Sequence, residues 1–134
     1  MRCLCASTRH AARLLTRYYE EELRPAHLTP AQFELLSILS ARPGLSQSDL
    51  AKALDLDQTT LSRNLKVLIS RKWIKHGASP QDRRQASYTL SAEGHKAWRY
   101  AVPYWQSAQT HMQQKLGSDW QTVWSALDRL INAA

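Results

Sequence analysis

The sequence contains few glycines and none of the short motifs that mark common enzyme classes. Only four of its 134 residues are glycine, so little of the chain can form glycine-rich loops in which the backbone approaches a ligand closely. It lacks a phosphate-binding loop, a dinucleotide-binding fingerprint and an HExxH motif. No Ser/His/Asp set and no pair of carboxylates stands out either. We therefore expect a protein that is not an enzyme and that carries no cofactor.

Long apolar segments and secretion signals are also missing. No run of about 18 apolar residues is present, so no membrane-spanning helix is expected. The first residues do not combine a basic segment with the apolar stretch of a signal peptide. A length of 134 residues predicts one domain, and we expect it to be cytoplasmic, with no membrane partner. In a reducing cytoplasm, the only two cysteines are expected to be thiols.

Positive charge, by contrast, is plentiful and unevenly placed. Lysine and arginine number 18 against 11 acidic residues, which gives a net charge of +7. Between Ser46 and Leu90, eight lysines and arginines face four aspartates, a local excess of four. A clustered basic excess is typical of proteins that bind nucleic acid. The charge alone fits both a sequence-specific DNA-binding protein and a basic nucleoid-type protein that binds DNA without sequence preference.

Capping residues and apolar spacing predict six helices. Four polar residues stand directly before stretches with apolar side chains three or four apart, and they are predicted helix N-caps: Thr29, Ser46, Asp57 and Ser91. Pro25 is expected to end the first helix, and Pro103 is expected to kink or break the fifth. The tight turn between the third and fourth helices is predicted at Asp55, because aspartate tolerates a left-handed backbone.

Between the fourth and fifth helices the pattern becomes strand-like. The runs WIKHG and ASYTL, separated by the polar segment ASPQDRRQ, predict a β-hairpin. Two short helices, a tight turn and a basic-tipped hairpin together describe a winged helix-turn-helix, mainly α with a small β-hairpin wing. Four of the five tryptophans lie in residues 98–124, which is more apolar surface than one helix pair buries. The first helix and the last two are therefore expected to form a shared dimer core.

The predicted fold assigns DNA contacts to the start of its second short helix. In a helix-turn-helix, the early residues of that helix meet base edges in the major groove. Amide, hydroxyl and guanidinium groups are the side chains that read those edges. The candidates are Gln58, Thr59, Thr60, Ser62 and Arg63, with Lys66 further along the helix.

The hairpin loop SPQDRRQ supplies a second candidate contact. An arginine at a hairpin tip can enter a narrow minor groove, where the negative potential is strongest. Asp82 lies two residues before Arg84 and could hold its guanidinium in a bidentate pair. Arg83 is then left for a phosphate contact.

With these features the chain resembles the MarR family of bacterial transcription regulators. The resemblance is carried by LTPAQFELL, by SQSDLAKALDLDQTTLSRNLKVLISRKWI and by DRRQASYTLSAEG, within residues 28–94. It implies one MarR-like domain, with a DNA-binding lobe at 28–90 and dimerisation helices at 1–24 and 91–134. It also implies a homodimer on a palindromic operator, usually as a repressor that an effector releases. By the same resemblance, Asp82 orients the wing arginine and Arg84 enters the minor groove.

The two cysteines allow several readings. In the OhrR-like peroxide regulators of this family, a cysteine near the start of the first helix precedes a tyrosine by fourteen residues. Cys5 and Tyr19 have this spacing, but Pro30 replaces a second tyrosine of those sensors. By this resemblance Cys5 would sense an oxidant and Tyr19 would reach the thiol of the partner subunit. Arg9, one helical turn after Cys5, is placed to stabilise a thiolate.

The cysteines could also form a disulfide, bind a metal or be thiols without a function. A disulfide between Cys3 and Cys5 is disfavoured if both are helical, because side chains two apart on a helix diverge. A metal site would need more ligands than these two thiols, and the five histidines show no ligand spacing. Incidental thiols, oxidant sensing and a metal-responsive repressor thus remain open, with no metal ligand assigned.

Overall fold

The computed structural model describes all 134 residues as six helices and three short strands. The helices are α1 (Leu4–Leu23), α2 (Pro30–Ala41), α3 (Gln47–Leu54), α4 (Gln58–Ser70), α5 (Ala92–Leu116) and α6 (Trp120–Ala133). The strands are β1 (Leu45–Ser46), β2 (Ile74–Ala78) and β3 (Ala86–Leu90). Short 3-10 turns follow α1 and α5. This is a mainly α winged helix-turn-helix, as predicted.

The four predicted N-caps are confirmed. Each cap oxygen accepts a hydrogen bond from the backbone N–H three residues later, at Gln32, Asp49, Thr60 and Gly94 respectively. At the start of α2 the bond is reciprocal, because the Gln32 side chain also accepts from the backbone N–H of Thr29. These caps satisfy backbone N–H donors that a helix N-terminus otherwise leaves free. The helix starts could therefore be predicted from the local sequence.

The predicted break at Pro103 is not found, because α5 continues through this residue. The helix runs without interruption from Ala92 to Leu116 with the proline inside it. Proline removes the hydrogen bond to the carbonyl four residues earlier, here that of Arg99. Both Pro103 and Arg99 are exposed, so water can bond to the freed carbonyl and the helix continues.

The wing is a three-stranded antiparallel sheet with β3 in the centre. The predicted hairpin pairs Ile74 with Leu90 at its base and Ala78 with Ala86 near its tip. The sequence did not predict β1, whose two residues pair with Tyr88 and Ser87 on the other side of β3. This strand joins the wing to the start of α3.

The core belongs to the central lobe of the chain. Its largest fully buried side chains are Leu23, Leu35, Leu36, Leu39, Leu50, Leu61 and Leu68. Helix α5 packs on this core through Ala101, and the indole N–H of Trp98 donates to the hydroxyl of Ser37 on α2 at 2.9 Å. In contrast, α6 buries no residue within the chain, and α1 buries only Leu23. The terminal helices therefore leave apolar surface uncovered.

Candidate nucleic-acid interface

The helix-turn-helix is stabilised by a turn residue with a left-handed backbone conformation and by apolar packing between its two helices. Asp55 ends α3 with φ 49° and ψ 45°, the left-handed conformation predicted for it. Leu50 and Ala51 on one side of the turn and Leu61 and Leu65 on the other are buried together in the core. This packing fixes the inner face of α4, so its polar face points away from the lobe.

The outer face of α4 carries five of the six side chains predicted to read DNA. Together they line a shallow groove of about 430 Å³ that contains no hydrophobic side chain: Gln58, Thr59, Ser62, Arg63 and Lys66. The helical repeat brings positions 58, 59, 62, 63 and 66 onto one side of the helix. The groove offers an amide, two hydroxyls and two cations to a partner.

Thr60, the sixth predicted residue, takes part in the N-cap of α4. Its backbone N–H and its hydroxyl both donate to the carboxylate of Asp57, at 2.7 Å and 3.0 Å. These two hydrogen bonds, the backbone one first, hold the pKa of the Asp57 carboxyl below its usual value. Thr60 is not among the residues that line the groove, and its contact with DNA stays a prediction.

The wing loop is held by its own hydrogen bonds. The Ser79 N–H donates to the Gln85 carbonyl at 2.8 Å and the Gln85 N–H donates to the Asp82 carbonyl at 3.1 Å. The Asp82 carboxylate accepts from the backbone N–H of Arg84 at 2.9 Å. Asp82 thus fixes the backbone that carries Arg84, and its pairing with the Arg84 guanidinium stays a prediction. Arg83 and Arg84 are both exposed at the tip.

Gln47 is a polar residue of this region that the sequence pattern did not indicate. It is the first residue of α3, and its side chain bonds to Ser62 of α4 and to Tyr88 of β3. Nothing in the local sequence marks it, because both partners lie more than ten positions away.

The residues named for sensing lie away from the DNA face. Cys5 is exposed near the start of α1. Tyr19 is half-buried, and its hydroxyl donates to the Gln109 side chain of α5 in the same chain. Burial raises the pKa of the Tyr19 phenol. The chain does not bring Cys5 and Tyr19 together, because fourteen helical residues span about 21 Å.

Cys3 lies just outside α1. It precedes α1 with an extended backbone, at φ −100° and ψ 120°, since the helix begins only at Leu4. Because Cys3 lies outside α1, the divergence of side chains two apart on a helix does not apply to the Cys3–Cys5 pair. Both thiols are free. No three His, Cys, Asp or Glu side chains come together in a way that could hold a metal ion.

A cavity of about 410 Å³ lies beside Tyr19, among α1, α2, α5 and α6. Its walls include Phe33 and Trp105, whose rings stack with centroids 5.8 Å apart, and Trp124 of α6. Glu34 lies at its edge, and partial burial raises the pKa of its carboxyl. The cavity thus lies between the terminal helices and α2 of the DNA-binding lobe.

None of the six helices combines the length and hydropathy needed to cross a bilayer.

The fold and the polar α4 face define a winged helix-turn-helix of the type found in DNA-binding regulators. The sequence profile of the MarR family matches residues 28–85. The transcriptional regulator MosR of Mycobacterium tuberculosis, solved in complex with DNA, is 35% identical, with 98% of this chain and 96% of that chain covered and a TM-score of 0.88. The chain belongs to the MarR family.

Other relatives agree with this assignment. The transcriptional regulator HosA of Escherichia coli is 27% identical, over 79% of each chain. The multiple antibiotic resistance protein MarR of Escherichia coli is 30% identical over 58% of this chain and 54% of that protein. The chain thus spans about half the length of some curated relatives that it matches.

Proposed function

We propose that this protein is a sequence-specific DNA-binding transcriptional regulator that acts as a homodimer on a palindromic operator. The observation that carries the proposal is the groove on α4, which gathers Gln58, Thr59, Ser62, Arg63 and Lys66 on one outward face. Amide and guanidinium groups pair with adenine and guanine edges, and cations pair with phosphates. The exposed Arg83 and Arg84 would supply a second contact from the wing, with Arg84 in the minor groove.

A dimer is supported by the apolar surface of the terminal helices. Leu14 and Leu15 of α1 and Trp124, Leu127 and Ile131 of α6 are all exposed in the single chain. Exposed apolar side chains that share one helix face, as positions 124, 127 and 131 do, form a patch of the kind that marks an interface. A two-fold dimer would present two α4 helices and two wings, which fits a palindromic site.

The regulator is proposed to be a repressor that an effector releases. The cavity of about 410 Å³ is a candidate site for a small molecule, and PcaV of Streptomyces coelicolor, 25% identical with a TM-score of 0.81, was solved in complex with its natural ligand. The exposed thiol of Cys5, acting with Tyr19 of the partner subunit, is the candidate for an oxidant. Either signal must bind or modify the free and DNA-bound states unequally, with a coupling of about 1–3 kcal/mol.

The proposal is tested by selecting bound sequences from a randomised DNA duplex library. A palindromic consensus should emerge, and a duplex carrying it should bind at least about a thousandfold more tightly than random duplex at physiological salt. Binding of both duplexes should also be measured from 50 to 300 mM salt. A nucleoid-type protein would yield no consensus, and its affinities for the two duplexes would be equal and fall together with salt.

A further inference from the structure

Gln47 bridges α4 and the wing although it belongs to neither. Its Nε2–H donates to the Ser62 hydroxyl oxygen at 2.7 Å, and its Oε1 accepts from the Tyr88 hydroxyl at 3.2 Å. Burial raises the pKa of the Tyr88 phenol, so this hydroxyl keeps the proton that it donates. One side chain of α3 therefore connects a central-strand residue to a residue on the DNA-facing side of α4.

The direction of these bonds determines what Ser62 can offer. A helical serine often donates its hydroxyl proton to a backbone carbonyl of the preceding turn. Ser37 does so to Phe33 at 2.8 Å, and Ser70 does so to Val67 at 2.7 Å. The Ser62 oxygen instead accepts from Gln47, and it is the only one of the three that lines the α4 groove. Since this oxygen accepts from Gln47, the Ser62 hydroxyl proton is left to donate to a partner, and the hydrogen bonds would then run from Tyr88 through Gln47 and Ser62 to that partner.

We propose that Gln47 is a positioning residue of the DNA interface, which holds the Ser62 hydroxyl as a hydrogen-bond donor toward an acceptor on DNA. This inference rests on the proposed function. The acceptor is either a phosphate oxygen or a base edge that accepts in the major groove, such as purine N7, guanine O6 or thymine O4. Successive hydrogen bonds polarise one another, so the donor at the end of the series is strengthened.

The amide of Gln47 suits both tasks. Gln47 accepts from one hydroxyl and donates to another, and an amide has a separate acceptor oxygen and donor nitrogen for these two bonds. A methionine at this position has similar length without either bond. A glutamate accepts at both ends, so it would draw the Ser62 proton inward and remove the outward donor.

The test compares four proteins on two DNA duplexes by fluorescence anisotropy. The proteins are the wild type, Gln47→Met, Ser62→Ala and the double variant; the duplexes are the selected consensus and a scrambled sequence. Each single variant should lose about fivefold to tenfold in affinity for the consensus duplex, and the double variant should lose no more than the weaker-binding single. A base-edge acceptor predicts no change on scrambled DNA, whereas a phosphate acceptor predicts an equal loss on both.

Gln47→Glu provides a second variant that separates positioning from folding. It should bind the consensus duplex more weakly than Ser48→Glu, which adds the same charge at the neighbouring, exposed position. Urea midpoints of all variants should lie close to that of the wild type. Wild-type affinity for Gln47→Met, losses that multiply in the double variant, or equal binding by the two glutamate variants would each overturn the inference. A wild type that selects no consensus would instead remove the proposed function.

Discussion

The α-carbon of Gly94 lies directly against the backbone of Trp73. A Cβ added at Gly94 would meet the Trp73 carbonyl oxygen at 2.0 Å and the carbonyl carbon at 2.8 Å. Two hydrogen bonds from Ser91 hold this backbone in place. Its N–H donates to the Trp73 carbonyl at 3.0 Å, and its hydroxyl donates to the Lys72 carbonyl at 2.6 Å. The start of α5 is thereby joined to the segment that links α4 to β2.

This contact predicts that Gly94→Ala strongly destabilises the fold. The clash is with backbone rather than with a movable side chain, so we expect a loss of about 3 kcal/mol or more in the free energy of unfolding. Urea denaturation followed by circular dichroism measures it. Gly77→Ala is the matched control, because a Cβ there meets nothing within 4 Å. Similar midpoints for the two variants would contradict the close approach.

The exposed wing arginine predicts a loss of DNA binding without a loss of structure. Arg84→Ala should weaken binding to the consensus duplex by at least about tenfold, because it removes the guanidinium that we propose enters a narrow minor groove. Arg99→Ala removes the same charge from an exposed position on α5 and should bind within about twofold of the wild type. Unchanged affinity of Arg84→Ala would remove the wing contact from the proposal.

The apolar face of α6 predicts a dimer that a single charge can dissociate. Ile131 is 72% exposed and Trp124 is 44% exposed in the single chain. If these side chains are buried against a second copy, Ile131→Asp should shift the protein from dimer to monomer at micromolar concentration, because burying an unpaired carboxylate costs several kcal/mol. Sedimentation velocity measures the shift. Gln121→Asp, at an exposed polar position of the same helix, should remain dimeric, and a monomeric wild type would refute the interface.

The Cys5 hypothesis predicts release from DNA by an organic hydroperoxide. The wild type, treated with cumene hydroperoxide, should lose at least about tenfold in affinity for the consensus duplex, because oxidation begins at an accessible thiol. Cys5→Ser should keep its affinity under the same treatment. Cys3→Ser is the matched control and should respond like the wild type. Equal release of the wild type and Cys5→Ser would eliminate this thiol as the sensor.

The Asp57 cap predicts a defined loss of stability in acid. Hydrogen bonds from Thr60 lower the pKa of Asp57 in the folded protein from its ordinary value of 3.8. The cap's contribution is therefore complete above the unfolded pKa and is lost as the pH falls through the folded pKa. Asp57→Asn keeps a capping oxygen that does not titrate. Between pH 6 and pH 2 its urea midpoint should fall less than that of the wild type, and parallel curves would argue against the cap's role.

Much of the fold and most of the interface could be predicted because they depend on local chemistry. A cap such as Asp57 and a left-handed turn residue such as Asp55 act on backbone groups within three positions, so their residue types reveal them. The polar face of α4 follows from the helical repeat, since Leu61 and Leu65 must face the core. Hydroxyls both cap helices and read bases, so residue type alone does not show that the Thr60 hydroxyl donates to Asp57.

The sequence by itself determined the order of the elements, their caps and the basic winged helix-turn-helix, because these arise from residue types and short spacings. Only the tertiary structure decided which distant residues meet. The pairing of Leu45 with Tyr88, the bridge from Gln47 to Ser62 and the approach of Gly94 to Trp73 each join segments separated by at least fifteen positions. Such contacts form when whole helices and strands pack on a common core, and no local pattern specifies the register in which they do so.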